Sequence, residues 1–348
     1  MTNTAYDDIL RANADTRLGL FTATAQRLGT TPQNVEKDFW VCWTLGALFN
    51  GLPEGGPRLL FKGGTSLSKG FGLISRFSED IDVTVFRDDL GQGASIEDLA
   101  AMSRTQRLAK LEAIRAACQT FIQGDLRTQL QGLAAAAAER AGLTADQIQI
   151  VAAEDDGQTL LVVYPAATPA DSYVRHVVRI ESGAKSALDP NTVRTLAPYV
   201  DQEAVGLDLK VGNVTVVNPE RTFWDKVVIV HGLRRWFERR GKLKGGGERS
   251  SRHYYDLHRL VASEVGAHAL ADLALGADCV AHARMFFDRP DYDLATAAAP
   301  TFALTPHDAM LDALRRDYGA MSAMIFGQAP TFDAVMSSVA ALEAQLNR

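Results

Sequence analysis

The chain has 348 residues, 47% hydrophobic and 22% charged, with a formal net charge of −6. That length suffices to bury about three quarters of the extended surface in one large or two ordinary domains. No apolar run approaches the roughly 18 residues of a membrane span, the N-terminal residues lack signal-peptide regions, and the acidic balance argues against a protein that coats nucleic acid nonspecifically. Cys42, Cys118 and Cys279 are odd in number and far apart, so neither a disulfide framework nor a zinc site is expected. They fit small buried hydrophobes in a reducing cytoplasm.

In chain order, residues 5–28 read as helical, and Thr31-Pro32 caps and opens a helix running to about Phe49. Trp40, Trp43, Leu45 and Leu48 make this second helix apolar over much of its surface, so Lys37 and Asp38 inside it are informative. They either form an internal ion pair or reach a triphosphate, since an unpaired charge in a core is costly.

Strands are expected at about 58–61 and 80–86. Between them, Gly63-Gly64-Thr65-Ser66 reads as a glycine-hydroxyl turn. The glycines permit backbone N–H groups to approach a phosphate, and the Thr65 and Ser66 hydroxyls are further donors. Asp80 and Asp82 stand at i, i+2, which on a strand puts both carboxylates on one face and Ile81, Val83 and Val85 on the other. Two adjacent carboxylates suit Mg²⁺, which takes oxygen ligands and keeps positions open for substrate phosphates. An edge strand carrying solvated acids is the competing account.

After a loop at Asp88–Gly93, Ser95 is expected to cap alanine-rich helix to about Gly142, broken near Gly124 or split in two. Strands are expected at 147–152, 158–164 and 174–181. The last places Arg175, Val177, Arg179 and Glu181 on one face, so Glu181 ends the strand on its polar side, where a salt bridge to a neighbouring arginine is one account of it. Asn218 and Pro219 open a helix with a buried stripe at Phe223, Val227 and Val230, and Lys226 lies beside it, able to extend to a phosphate or to solvent.

Residues 234–252 hold eight arginines and lysines against two glutamates, a basic island on an acidic body. It could attract RNA or form a solvated helix end, and Gly245-Gly246-Gly247 within it reads as a flexible loop. The remainder, about 260–348, reads as helices with alanine-rich packing faces and carries no catalytic constellation. None of the seven histidines has metal-ligand spacing, so structural roles are expected for them.

Four segments together resemble a known family. Gly63–Ser66 with Arg76–Asp82, Glu36–Trp40, Pro219–Lys226 and Arg252–Leu257 are similar to motifs of the AbiEii/AbiGii toxins, a branch of the DNA-polymerase-β-like nucleotidyltransferases. The resemblance implies an α+β fold, a nucleotidyltransferase-like mixed sheet flanked by helices, with a mostly helical C-terminal domain. It implies a division at 1–216 and 217–348, a helical insertion at about 95–142, and Lys226 and Asp256 brought to the cleft from the second part. The implied activity is toxin-like transfer of nucleotides from an NTP to RNA, with tRNA the expected acceptor, blocking translation in the cytoplasm. Asp80, Asp82, Lys226 and Asp256 would be catalytic, the aspartate at 256 positioning metal or accepting a proton. Asp80, Asp82 and Glu181 would hold Mg²⁺ or Mn²⁺, while Lys62, Gly63, Gly64, Thr65, Ser66 and Arg76 would bind the nucleotide. The implied partner is an antitoxin encoded nearby, without a membrane. Some antitoxins of the family are kinases acting at a hydroxyl in the position of Ser78, which makes it a regulatory candidate. Transfer to a protein or an antibiotic, or a nucleotide-binding regulator without catalysis, are the alternatives.

Overall fold

A computed structural model describes residues 3–78, 80–154, 157–169, 176–322 and 324–348. Arg175, with the start of the strand expected at 174–181, and position 79 of the Arg76–Asp82 motif lie outside the described residues.

The elements in chain order begin with α1 (Ala5–Arg11), α2 (Ala14–Leu28), α3 (Pro32–Gly46), β1 (Leu59–Lys62), α4 (Gly63–Lys69) and β2 (Asp80–Val85). Next come α5 (Ile96–Ala101), α6 (Arg104–Phe121), α7 (Arg127–Arg140), β3 (Gln149–Ala152), β4 (Thr159–Val163), β5 (Val177–Gly183), β6 (Asn191–Leu196) and β7 (Val211–Val217). The chain finishes with α8 (Pro219–Arg240), α9 (Ser251–Val261), α10 (Glu264–Ala271), α11 (Leu273–Phe286), α12 (Asp308–Ser322) and α13 (Phe332–Leu346). This is the α+β class with a mixed sheet that the sequence led us to expect. Two compact units result: Met1–Gly70 with Phe77–Ala94 and Arg104–Val217, and Phe71–Arg76 with Ser95–Ser103 and Asn218–Arg348.

The first unit is built on a seven-stranded sheet in the order β3-β4-β5-β2-β1-β7-β6. β2 runs antiparallel to β1 and parallel to β5, and β1 runs parallel to β7. β6 and β7 carry no mark as plain as the alternation of β2, and they were not anticipated. Helix α3 packs on β2, β5 and β7, with Trp40 fully buried and stacked on Tyr164 at 4.9 Å. Thr31 caps α3 by accepting from the Asn34 backbone N–H, as the Thr-Pro signal predicts. Ser95 forms a reciprocal capping box with Asp98. The expected interruption near Gly124 is a π-helical turn, Ile122–Leu126, inserted between α6 and α7 without ending the helical run.

Two charged residues of α3 are spent on its own neighbours. Glu36 is fully buried and accepts from the backbone N–H groups of Ala167 and Thr168, at 2.6 and 3.0 Å. Asp38 accepts from Lys69 at the end of α4, 2.7 Å away, and from the Tyr199 N–H. The Lys69 ammonium also lies 3.6 Å from the centre of the Tyr199 ring. Asp38 therefore follows the internal-ion-pair account, and it fixes the far end of the helix that begins with the double glycine.

The second unit is helical and centred on α8, which packs against α9, α10 and α11. Trp224 of α8 is buried and donates from its indole to the Ala269 carbonyl. A Cβ at Gly276 would come within 2.8 Å of that ring, so the absence of a side chain there lets α11 cross α8 closely. Pro219 is at the first helical position as expected, but the Asn218 side chain makes no capping bond.

Candidate active site

In the first unit, the expected turn after β1 is the opening of a helix, α4, and its first residue is set by two constraints. Gly63 has φ +80°, and a Cβ there would fall 2.1 Å from Oδ2 of Asp82. Any larger residue at this position must move a carboxylate and adopt a strained backbone. The glycine is thus a seat for Asp82 as much as a turn former. Gly64 continues the same first turn.

Strand β2 has the alternation that its sequence predicts. Ile81, Val83 and Val85 are fully buried, whereas Asp80 and Asp82 share a partly exposed face. Lys62 on β1 is paired in register with Asp82, its ammonium 3.8 Å from the carboxylate, and both side chains are 29% exposed. On the other side, β5 sets Arg179 beside Asp80 and Glu181 beside Asp82. Glu181 accepts from Arg179 at 2.9 Å, which is the salt-bridge account of this residue. Among the described residues, no three His, Cys, Asp or Glu side chains are grouped closely enough to hold a metal ion.

The hydroxyls after the glycines do local work. Thr65 is buried, donates to the Asp80 carbonyl at 2.5 Å and lies 2.8 Å from the Ser78 hydroxyl. Ser66 is fully buried and donates to the Gly63 carbonyl. Their expected part as phosphate donors gives way to a structural one, since a hydroxyl has a single proton to give. Thr65 ties α4 to the start of β2, and Ser66 tightens the glycine turn. A pair of carboxylates on one face, partly exposed and seated against backbone that has no side chain, is an oxygen donor set that fits a hard divalent cation.

In the second unit, Lys226, Asp256 and Arg76 form one buried cluster. Asp256 of α9 is fully buried, Arg76 is 5% exposed and Lys226 of α8 is 6% exposed. Arg76 reaches Asp256 with two bonds, at 2.8 and 2.9 Å, and the Lys226 ammonium is 2.7 Å from Oδ2. The segment carrying Arg76 is anchored by a β-bridge to Ile325 and by the Phe326 N–H donating to the Ser75 carbonyl. Burial alone would raise the Asp256 carboxyl, but Arg76 and then Lys226 outweigh it and hold the carboxyl well below the usual range. Burial lowers the Lys226 ammonium, Asp256 offsets this in part, and the charge of Arg76 adds to the lowering.

This geometry revises two expectations. Asp256 was expected to position metal or accept a proton, yet both its oxygens are committed to cations inside the fold. Arg76, expected at the nucleotide, is the bidentate partner of that aspartate. The link was invisible in the sequence because the partners lie 180 residues apart.

Part of the basic island is neutralised within the same unit. Arg234 and Arg235 both pair with Glu238, Arg239 with Asp293 and Arg240 with Asp291. The two aspartates come from beyond the island, so a count along the chain overstated its free charge.

The match to a family model over most of the chain defines the class: the protein is a nucleotidyltransferase. More narrowly, the chain belongs to the AbiEii nucleotidyltransferase toxin family of type IV toxin–antitoxin systems, whose sequence model matches residues 46–338. That stretch includes three of the four motifs and begins after Glu36–Trp40. Among solved structures the chain is similar to MenT4, a nucleotidyltransferase toxin from Mycobacterium tuberculosis H37Rv, at 17% identity and a TM-score of 0.48 over 94% of this chain and 89% of that one. Comparison with curated proteins gives no match. Family membership carries an NTP substrate and an antitoxin partner, and among the described residues no helix is long and apolar enough to cross a membrane.

Proposed function

We propose that this toxin transfers nucleotides from an NTP to RNA, with tRNA as acceptor, and thereby blocks translation. The observation that carries the reading is the pair Asp80 and Asp82, partly exposed on one strand face with Asp82 seated against Gly63. These two carboxylates would hold Mg²⁺ or Mn²⁺, which when bound neutralises triphosphate charge and favours departure of pyrophosphate. Glu181, in register with Asp82 and paired with Arg179, would stand beside them as a third carboxylate.

The chain's own groups divide the remaining work. Gly63 and Gly64 let the backbone approach the triphosphate, and Lys62 adds a cation beside Asp82. Lys226 supplies positive charge to phosphate oxygens. Asp256 orients the Lys226 ammonium and is itself held by Arg76, which makes both of them positioning residues. The RNA hydroxyl forms the new bond to the α-phosphorus as the bond to pyrophosphate breaks, and the hydroxyl proton passes to solvent.

Ser78 is the proposed point of control by the antitoxin. A phosphoryl group would bring about −1.5 to −2 charge two residues before Asp80, repelling the triphosphate, and would break the contact with Thr65.

The test is incubation of the protein with each labelled NTP and a panel of acceptors, followed by sequencing of RNA termini. Label on tRNA ends is expected. Label on protein or aminoglycoside with none on RNA, or NTP binding without turnover on any acceptor, would overturn the reading.

A further inference from the structure

At the C-terminal end of α8 lies a groove of about 560 Å³. Trp236 and Phe237 line it from the helix, Lys242 and Lys244 from the glycine loop, and Ala309 and Ala313 from one face of α12. We propose that it is a stacking subsite for one unpaired base of the RNA acceptor, with the two lysines attracting the adjoining phosphates. This rests on the RNA reading given above and assigns the groove to a contact distinct from the reacting centre.

Three observations favour such an occupant. The first is volume, since about 300–1,000 Å³ is the usual range for a site that takes a small planar group. Ala309 and Ala313, one helical turn apart, keep the α12 side open. The second is an unmet donor: the Trp236 indole N–H is buried and has no hydrogen-bond acceptor among the described residues. Buried indole donors ordinarily find a partner, and because the N–H lies in the plane of the ring, a ribose or phosphate oxygen beside the stacked base supplies one.

Charge is the third. No acidic residue lines the groove. Lys242 makes no ion pair among the described residues, in contrast to Arg234, Arg235, Arg239 and Arg240 behind it. Among the described residues, the Lys244 ammonium is bonded to the Tyr292 hydroxyl and lies 5.1 Å from the ring centre. An aromatic floor with adjacent ammonium groups is how proteins hold unpaired nucleotides, because every base offers a π face and every linkage a charge. A duplex keeps its bases stacked on one another and cannot present one here.

The experiment uses the full chain and a fluorescently labelled single-stranded RNA, read by anisotropy over a range of salt. Trp236→Leu is expected to weaken binding by roughly tenfold or more, the usual loss for one stacked base. Trp236→Phe, which keeps a ring, is expected to retain most of the affinity. Lys242→Ala with Lys244→Ala is expected to reduce the slope of log affinity against log salt by about 1.4, or about 0.7 for each phosphate released. Equal affinity of wild type and Trp236→Leu, an unchanged slope in the lysine variant, or groove variants that lose a protein partner while keeping RNA would overturn the proposal. If Trp236→Leu fails to fold, the phenylalanine and lysine variants decide it. Binding is read without turnover, so failure of the subsite shows as transfer to RNA with no groove dependence. Failure of the transfer reading shows instead as RNA bound but never labelled.

Discussion

The two charged clusters that serve the proposed reaction are built in opposite ways. Asp80 and Asp82 are positioned by backbone: strand alternation sets their face, sheet register sets their neighbours, and a missing side chain at Gly63 seats one of them. Lys226, Asp256 and Arg76 are positioned by each other, buried with one anion between two cations. The first arrangement leaves the carboxylates partly exposed and asks little of them for stability. The second makes the fold depend on charges that have been fully desolvated, so that losing one strands its partners.

The sharpest way to separate the two is to remove one aspartate from each. Asp82→Ala is expected to reduce nucleotide transfer by three orders of magnitude or more, the scale of several kcal/mol of lost charge stabilisation, while urea unfolding shifts by less than about 1 kcal/mol. Asp256→Ala is expected to lower unfolding free energy by about 3–5 kcal/mol, because Arg76 and Lys226 are left buried without their anion. Similar stability losses in both variants would erase the distinction.

A third substitution probes the seat itself. Gly63→Ala must strain a backbone at φ +80° and displace the Asp82 carboxylate, so it should cost more than about 1 kcal/mol of stability and at least roughly tenfold in transfer. An active, fully stable Gly63→Ala protein would show that Asp82 is not held there.

The smallest effect is in pH dependence. The Asp256 carboxyl is held below its ordinary value of 3.8, so its contribution to stability is complete above about pH 4 and is lost as pH falls towards the depressed folded value. Midpoints for wild type should fall over that acid range more steeply than those of Asp256→Asn. Parallel curves would mean that the cluster is not ionised as described.

Legibility followed the same division. The alternation of β2, the Thr31 and Ser95 caps and the spacing of Asp80 and Asp82 are local, and a period of two or a cap residue reveals them. The lysine and late aspartate motifs were legible only as a resemblance, because nothing periodic links residue 226 to residue 256 or either to residue 76. The Lys69–Asp38 pair escaped notice for the same reason, and no sequence signal marks it apart from an acid set in an apolar helix. Thr65 and Ser66 were read as ligand donors because the turn was seen without the carbonyl groups that take their protons. The acidic partners of Arg239 and Arg240 were not legible because Asp293 and Asp291 lie some fifty residues further on.

The central claim is that Asp80 and Asp82 carry divalent-metal-dependent nucleotide transfer to RNA. It is tested most directly by following labelled NTP into purified tRNA, with wild type and Asp80→Asn side by side in Mg²⁺ or Mn²⁺. Label incorporated by wild type and absent with a folded Asp80→Asn protein is the predicted result; equal incorporation by the two would contradict it.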